Sequence, residues 1–220
     1  MAARGVKMSE YHATRFTFDE RRETLWRTLC ECFFQKFILP GFHVLELGAG
    51  YAHFINNVHC RQRTAVDVWP GLPHFAAEGV TAHVADVADL EFLDDQSVDF
   101  VFASNLFEHL TQAQFASVLA VVRRKLKPEG TLNILQPNFR RAYREYFDDY
   151  THVAVYSDVS LGDFLRANGY AVIRSIPGLL PFSLKSRFPV IPVLIRMYLA
   201  LPWKPFAKQM FVQARPQHRP

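Results

Sequence analysis

The sequence predicts an α/β fold: a doubly wound, seven-stranded, mostly parallel sheet with helices on both faces. Three observations predict it. Short apolar runs of strand length alternate with stretches of helical periodicity, the order that builds parallel sheets. The first run, Val44 to Leu47, ends directly in Gly48-Ala49-Gly50, a strand followed by a glycine turn. Later runs end in polar or acidic residues: Asp67, Asp86 and Ser104-Asn105.

The first element is a helix over Phe18 to Phe37. Thr17 and Glu20 have capping-box spacing, and Leu25, Trp26, Leu29, Cys30, Phe33, Phe34 and Phe37 recur at helical intervals. This amphipathic helix is expected to pack on the sheet. Pro40-Gly41 then turns the chain into the first strand. After the glycines, Tyr51 to Val58 is expected to start a helix.

Glu46 selects the ligand of that glycine turn. A carboxylate two residues before the first glycine stands at the strand tip, where it would repel a dinucleotide pyrophosphate. The third glycine of the dinucleotide fingerprint is also missing, since His53 follows Ala52. A ligand with an ammonium, a sulfonium and no phosphate suits the carboxylate instead. Val44-Leu45-Glu46-Leu47-Gly48-Ala49-Gly50 resembles the first motif of the class I S-adenosylmethionine-dependent methyltransferases, an acid followed by G-x-G. Ala52 fills the place of that family's small third residue. The resemblance implies that Glu46, Gly48, Ala49 and Gly50 hold S-adenosylmethionine. It also implies that the N-terminal helix covers the pocket, with Tyr11 and Arg15 near the ligand or on the surface.

Thr64 to Val66 form a second strand ending in Asp67, 21 positions beyond Glu46. A carboxylate there can accept both ribose hydroxyls; Val68 follows it, and Trp69-Pro70-Gly71 breaks the chain. Val80 to Asp86 form a third strand. The resemblance gives Asp86 and Val87 the adenine, with Asp89 as a rival acid. Ser97 to Asn105 form a fourth strand, and Ser104 joins the cofactor set at its polar end. Glu108-His109-Leu110 then matches a run common in the family. There is no Asn/Asp-Pro-Pro-Tyr motif, which disfavours methylation of base amines.

Thr111 and Gln114 cap the next helix, whose apolar face is Phe115, Val118, Leu119, Val122 and Leu126. Pro128-Glu129-Gly130 turns into a fifth strand, Thr131 to Gln136. Ser157 to Ala167 form a helix stopped by Asn168-Gly169. Tyr170 to Ile176 and Gln209 to Ala214 are the last two strands, which the resemblance pairs antiparallel at the sheet edge. The motifs of the family span Val44 to Gln136.

The acceptor half begins at Pro137. Arg140, Arg141, Tyr143, Arg144, Tyr146, Phe147, Asp148, Asp149, Tyr150, Thr151 and His152 gather aromatic, basic and acidic groups where strand-end loops form a crevice. An aromatic core stripe with a charged outer face explains the same residues equally well. Methyl transfer to a hydroxyl gains from a general base, and His109 and His152 are the catalytic candidates. No metal is expected, since no H-E-x-x-H is present. In the resembling family, Glu108 and His109 could join a magnesium site, as in some quinol O-methyltransferases, but further ligands are not evident from spacing.

Composition bounds the rest. The chain has 220 residues, half of them hydrophobic, enough for one globular domain. Within it, 1–38 is a helical cover and 177–207 an apolar, basic insert before the last strand. Cys30, Cys32 and Cys60 show no disulfide pattern. Met1 to Glu10 has no signal-peptide core, and no apolar run reaches the roughly 20 residues of a spanning helix. These features suggest a cytoplasmic protein, peripheral to a membrane if the insert docks there. Phe164 to Pro220 carries nine basic residues and no acid, leaving a net −5 on the remainder. That asymmetry suggests an anionic partner, or equally a solvated basic face.

The expected function is methyl transfer from S-adenosylmethionine to a small-molecule acceptor, lipid-linked or anionic. An RNA methyltransferase and a non-catalytic module of the same fold are the alternatives; nucleic acid is disfavoured because no RNA-binding module is appended. A nicotinamide dehydrogenase is argued against by Glu46 and the missing glycine.

Overall fold

The computed structural model describes residues 18–181 and 190–217. The cap at Thr17, Tyr11 and Arg15, and Lys185, Arg187 and Phe188 of the insert lie outside the described residues, as does Arg219.

Seven strands form one sheet: β1 (His43–Leu47), β2 (Gln62–Asp67), β3 (Val80–Val84), β4 (Val98–Ser104), β5 (Leu126–Pro137), β6 (Tyr170–Pro181) and β7 (Ala207–Pro216). Their spatial order is β3-β2-β1-β4-β5-β7-β6. β1 to β5 pair parallel, while β7 runs antiparallel to both β5 and β6. The chain winds outward from β1 to β3, then crosses back to β4. This puts a topological switch point between β1 and β4, at the carboxyl ends of the strands, where ligands bind in open α/β sheets.

The pleat sorts side chains onto two faces. Leu45, Leu47, Val66, Val101, Ala103, Leu132 and Ile134 face one core, closed by α3 (Gln112–Lys125) and α5 (Asp158–Ala167) through Phe115, Val118, Val122, Leu161 and Leu165. Val44, Ala65, Phe100, Phe102 and Leu135 face the other. That side is closed by α1 (Glu20–Cys32) and by Ile195 and Leu199 of α6 (Pro192–Ala200). Two short helices, α2 (Leu72–Phe75) and α4 (Phe139–Ala142), complete the set. Helices thus cover both faces, as expected. Among the described residues, no helix is long and apolar enough to cross a membrane.

Several boundaries differ from the sequence expectation. The N-terminal helix begins later and ends earlier. Asp19 caps it by accepting from the Arg21 amide at 2.9 Å, and a separate 3₁₀ turn spans Phe34–Phe37. Phe33, Phe34 and Phe37 all pack on Phe211, and leaving the α-helical path lets all three reach it. Tyr51 to Val58 forms no α-helix, only turns and the 3₁₀ turn Ile55–Asn57. Ala52 has φ +56°, which stops a right-handed helix, and the Ile55 amide is taken by Glu46 Oε2 at 3.0 Å. Pro128-Glu129-Gly130 is not a turn ahead of the fifth strand. It bulges within β5, between the Val98↔Leu126 and Phe100↔Thr131 pairs. The Thr111 cap stands as expected in a capping box, and Ser157 caps its helix in the same way.

The charge asymmetry resolves into contacts across the fold. Arg196 pairs with Glu31 at 3.0 Å and Arg215 with Glu129 at 2.8 Å, while Lys208 pairs with Glu145 at 2.5 Å. Basic residues late in the chain therefore neutralise earlier acids rather than forming a wholly unpaired positive face.

Candidate functional site

The site is built from the carboxyl ends of β1 to β4. Because these strands are parallel, their tips share one edge of the sheet. The loop after β1 begins with Gly48 at φ +65° and Gly50 at φ +50°, a region that favours glycine. Its start is fixed to β2: the Gly48 and Ala49 amides donate to Val66 O at 2.9 and 3.2 Å. A Cβ on Gly48 would lie 3.0 Å from the Leu106 side chain. The glycine turn and the loop after β4 therefore meet across the switch point.

Asp67 is buried at the tip of β2. Its Oδ2 accepts the Gly50 amide at 2.8 Å and its Oδ1 the Trp69 amide at 2.8 Å. Val68 beside it is exposed. The Ala85 amide donates to Asp67 O at 3.0 Å, bringing Asp86 and Val87 alongside. Asp86 is exposed and accepts the Ala88 amide at 2.8 Å in a tight turn, whereas Val87 is buried; Asp89 also lies in solvent. Ser104, half-buried at the end of β4, accepts from Asn105 Nδ2 at 3.1 Å. Asn105 takes φ +49°, which asparagine tolerates better than most residues, and its Oδ1 accepts Gln209 Nε2 at 2.8 Å. The end of β4 is thereby tied to β7.

Glu46 does not stand open at its strand tip. The pleat turns it to the face shared with Val44, towards α1, where it is 4% exposed and accepts the Ile55 amide. Burial drives its carboxyl well above the usual range; the Ile55 bond opposes this and the nearby Asp67 adds to it. Two carboxylates thus lie close together behind the glycine turn. Helix α1 closes over the same loop: Glu23 reaches His53 Nδ1 at 3.2 Å and accepts Asn57 Nδ2 at 3.1 Å, and Phe18 packs on Tyr51 and Phe75.

Beyond β4, the 3₁₀ turn Phe107–His109 carries Glu108 and His109. The Val153 and Ala154 amides both donate to Glu108 O, at 2.9 and 3.1 Å. This clips the loop after α4 onto the β4 tip and brings the His109 and His152 rings to 4.8 Å. His152 Nδ1 donates to Tyr146 O at 2.6 Å, and Tyr146 Oη donates to Ala154 O at 2.6 Å. His109 Nδ1 donates to Thr151 Oγ1 at 2.9 Å, and that hydroxyl donates to Asp149 Oδ1 at 2.5 Å. Burial, with His152 adding to it, pushes His109 down to about 4. Burial, with Asp149 adding to it, pushes Glu108 up to about 8.

The 137–152 stretch has a buried and an exposed side. Tyr146 and Ala142 are core, whereas Tyr143, Phe147 and Tyr150 are exposed beside the cluster. Spacing alone did not show that Glu108 and His152 share one cluster, because the backbone clip at Val153 and Ala154 is what joins them. Gln136 is buried at the end of β5 with no partner for its side-chain amide among the described residues, and its sequence signal is that of a strand residue alone.

Residues 45–134 match the model of a methyltransferase domain. No curated protein matches the chain. Among solved structures, the chain is similar to a Haloferax volcanii complex of the Trm112 methyltransferase activator with a methyltransferase. The TM-score is 0.69, with 17% identity over 91% of this chain and 93% of that one. A SAM-dependent methyltransferase from Archaeoglobus fulgidus superposes with a TM-score of 0.66 and 16% identity over 94% and 98% of the two chains. A DhpI–SAH complex superposes with 0.61 and 17% identity over 96% and 92%. Residues 45–134 thus match a methyltransferase domain, and the chain as a whole shares the Rossmann-like fold of the S-adenosylmethionine-dependent methyltransferases it superposes on.

Proposed function

We propose that this enzyme methylates a small-molecule acceptor bound beside His109 and His152. The observation that carries this reading is the shared edge: the glycine turn, the Asp67 tip and the two imidazoles all open at the carboxyl ends of β1 to β4.

The residues fit the donor. Gly48, Ala49 and Gly50 let its amino-acid end approach the main chain. Asp67 keeps lone pairs for the ribose hydroxyls, since a carboxylate offers about four acceptor sites and two amides occupy it. Asp86 and Val87 take the adenine edge, with Val68 against the ring and Ser104 on the acceptor side. Glu46 and Asp67 together supply the negative field that a cationic ligand needs. S-adenosylmethionine supplies a methyl already activated on a sulfonium, so the protein aligns two reactants and excludes water. The neutral imidazole of His109 or His152 takes the acceptor's proton.

A lipid-linked acceptor is favoured by the surface around α6. Val193, Leu194, Met197 and Leu201 are exposed, Trp203 is 74% exposed and Phe206 81% exposed. Phe206 also has φ +58°, uncommon for a bulky side chain. Aromatic and apolar groups held in solvent mark an interaction surface, and Trp and Phe suit a membrane interface. The chain is then one domain over 1–220, with 177–207 as the acceptor-side insert.

The test is donor binding by calorimetry, followed by methyl transfer from labelled S-adenosylmethionine into aqueous and lipid fractions of a cell extract. Label in the lipid fraction supports the lipid-linked reading. No donor binding would remove the whole assignment.

A further inference from the structure

We propose that Glu108, His109 and His152 form a binding site for one first-row divalent cation, of the class represented by Zn²⁺. A carboxylate oxygen and one ring nitrogen from each histidine lie within 4.8 Å of one another. Two imidazoles and a carboxylate suit borderline first-row ions rather than the all-oxygen shells of Mg²⁺ or Ca²⁺. Three protein ligands with an open fourth position are also the make-up of catalytic zinc sites.

Glu108 gives the independent observation. Its side chain is 0% exposed, and neither carboxylate oxygen has a hydrogen-bond partner among the described residues. A buried carboxylate without donors is costly. An ion held by the two histidines beside it removes that cost.

The surroundings are arranged as a ligand set needs. Nδ1 of His152 is held by Tyr146 O at 2.6 Å, and Nδ1 of His109 by Thr151 Oγ1 at 2.9 Å. With Nδ1 donating, Nε2 of each ring carries the lone pair, and such outer contacts fix ligating histidines. Thr151 is held in turn by Asp149. The backbone clip from Val153 and Ala154 to Glu108 O keeps the two segments together without an ion. Bonds of about 2.1 Å require the three ligand atoms to draw closer than the 4.8 Å within which they stand.

The site lies just past β4, where the proposed function puts the acceptor. The inference rests on that reading for the ion's purpose and not for its binding. With the ion present the histidines would be ligands, and the cation would acidify an acceptor hydroxyl at the open position, whose proton would pass to solvent instead of to a free imidazole.

The experiment uses the full chain, stripped with chelator and titrated with Co²⁺ and Zn²⁺. The expected result is one equivalent bound, with visible Co²⁺ absorption bands of low-coordinate nitrogen and oxygen ligation. Glu108→Gln and His152→Gln should each weaken Zn²⁺ binding at least tenfold, while S-adenosylmethionine still binds by calorimetry. The proposal is overturned if stripped wild-type protein gives no Co²⁺ bands, or if both variants bind Zn²⁺ as wild type does. Donor binding is measured on the same samples, so loss of the methyltransferase reading and loss of the ion site are separate outcomes.

Discussion

The Gly50 amide donates to Asp67 Oδ2 at 2.8 Å, so the glycine turn after β1 is fastened to the tip of β2. Asp67 thereby orders the loop with one oxygen and the Trp69 amide with the other, and the proposed function assigns its remaining lone pairs to the ribose hydroxyls. Asp67→Ala removes both amide partners. Donor affinity is expected to fall 10-fold or more by calorimetry. The Gly50 amide also loses its acceptor inside the fold, at about 1–3 kcal/mol of stability. Asp67→Asn keeps one acceptor oxygen and should fall between. Unchanged donor affinity in Asp67→Ala would exclude Asp67 from the cofactor site.

Glu46 makes a pH prediction. Burial raises its folded carboxyl well above the ordinary value of 4.5. The native state therefore favours the protonated form. Its stabilising contribution is full below pH 4.5 and is lost as pH rises from there towards the raised value. Glu46→Gln keeps an oxygen for the Ile55 amide and removes the titration. The variant should lose less melting temperature than wild type between pH 5 and pH 8. Binding of a cationic donor beside Glu46 should also release a proton from wild type and less from the variant. Calorimetry in buffers of different ionisation enthalpy reads this directly; equal proton release in both proteins would remove Glu46 from the donor's surroundings.

These two acids show how far the sequence carried. The five parallel strands were readable because each is a short apolar run bounded by turn residues. The glycine turn and the acid at β2 were readable because their spacing is local. The orientation of Glu46 was not, although counting the pleat from Val44 puts it on the α1 face. What the count omits is the Ile55 amide, which is available only because Tyr51 to Val58 fails to become a helix. The acceptor-side cluster was hidden for a different reason. Its closure depends on backbone bonds between Glu108 and residues 153–154, and no periodicity records a contact between distant loops.

Lys125 tests the packing of α3 away from the site. Its side chain is 4% exposed, and its Nζ donates to Leu93 O at 2.7 Å and Asp95 Oδ1 at 2.8 Å. Asp95 is open to solvent and rehydrates if the lysine is lost, so its share is small. The Leu93 carbonyl has no such recourse. Lys125→Met keeps the buried stem and removes the donor. The expected cost is about 1–3 kcal/mol, read as a lower urea midpoint with unchanged slope. Donor affinity should not change, because Lys125 closes the far end of α3 on Leu93 and Asp95.

The α6 surface separates two kinds of membrane attraction. Arg196 and Lys208 are engaged by Glu31 and Glu145, so less of the basic charge is available to anionic lipid than the sequence suggests. Under the lipid-linked reading, docking would rest mainly on apolar insertion of Trp203, Phe206 and the exposed face of α6. Apolar insertion is insensitive to ionic strength, whereas attraction between exposed charges fades once the Debye length falls to about 8–10 Å. In co-sedimentation with phosphatidylglycerol-containing vesicles, binding should persist with only a modest drop from low to physiological salt. Trp203→Ser with Phe206→Ser should reduce it at least tenfold at either salt, and leave donor affinity unchanged since neither residue lies at the strand tips. Binding that vanishes with salt and ignores the double substitution would assign the contact to the remaining basic groups. No vesicle binding by wild type would assign the exposed aromatics to something other than a lipid surface.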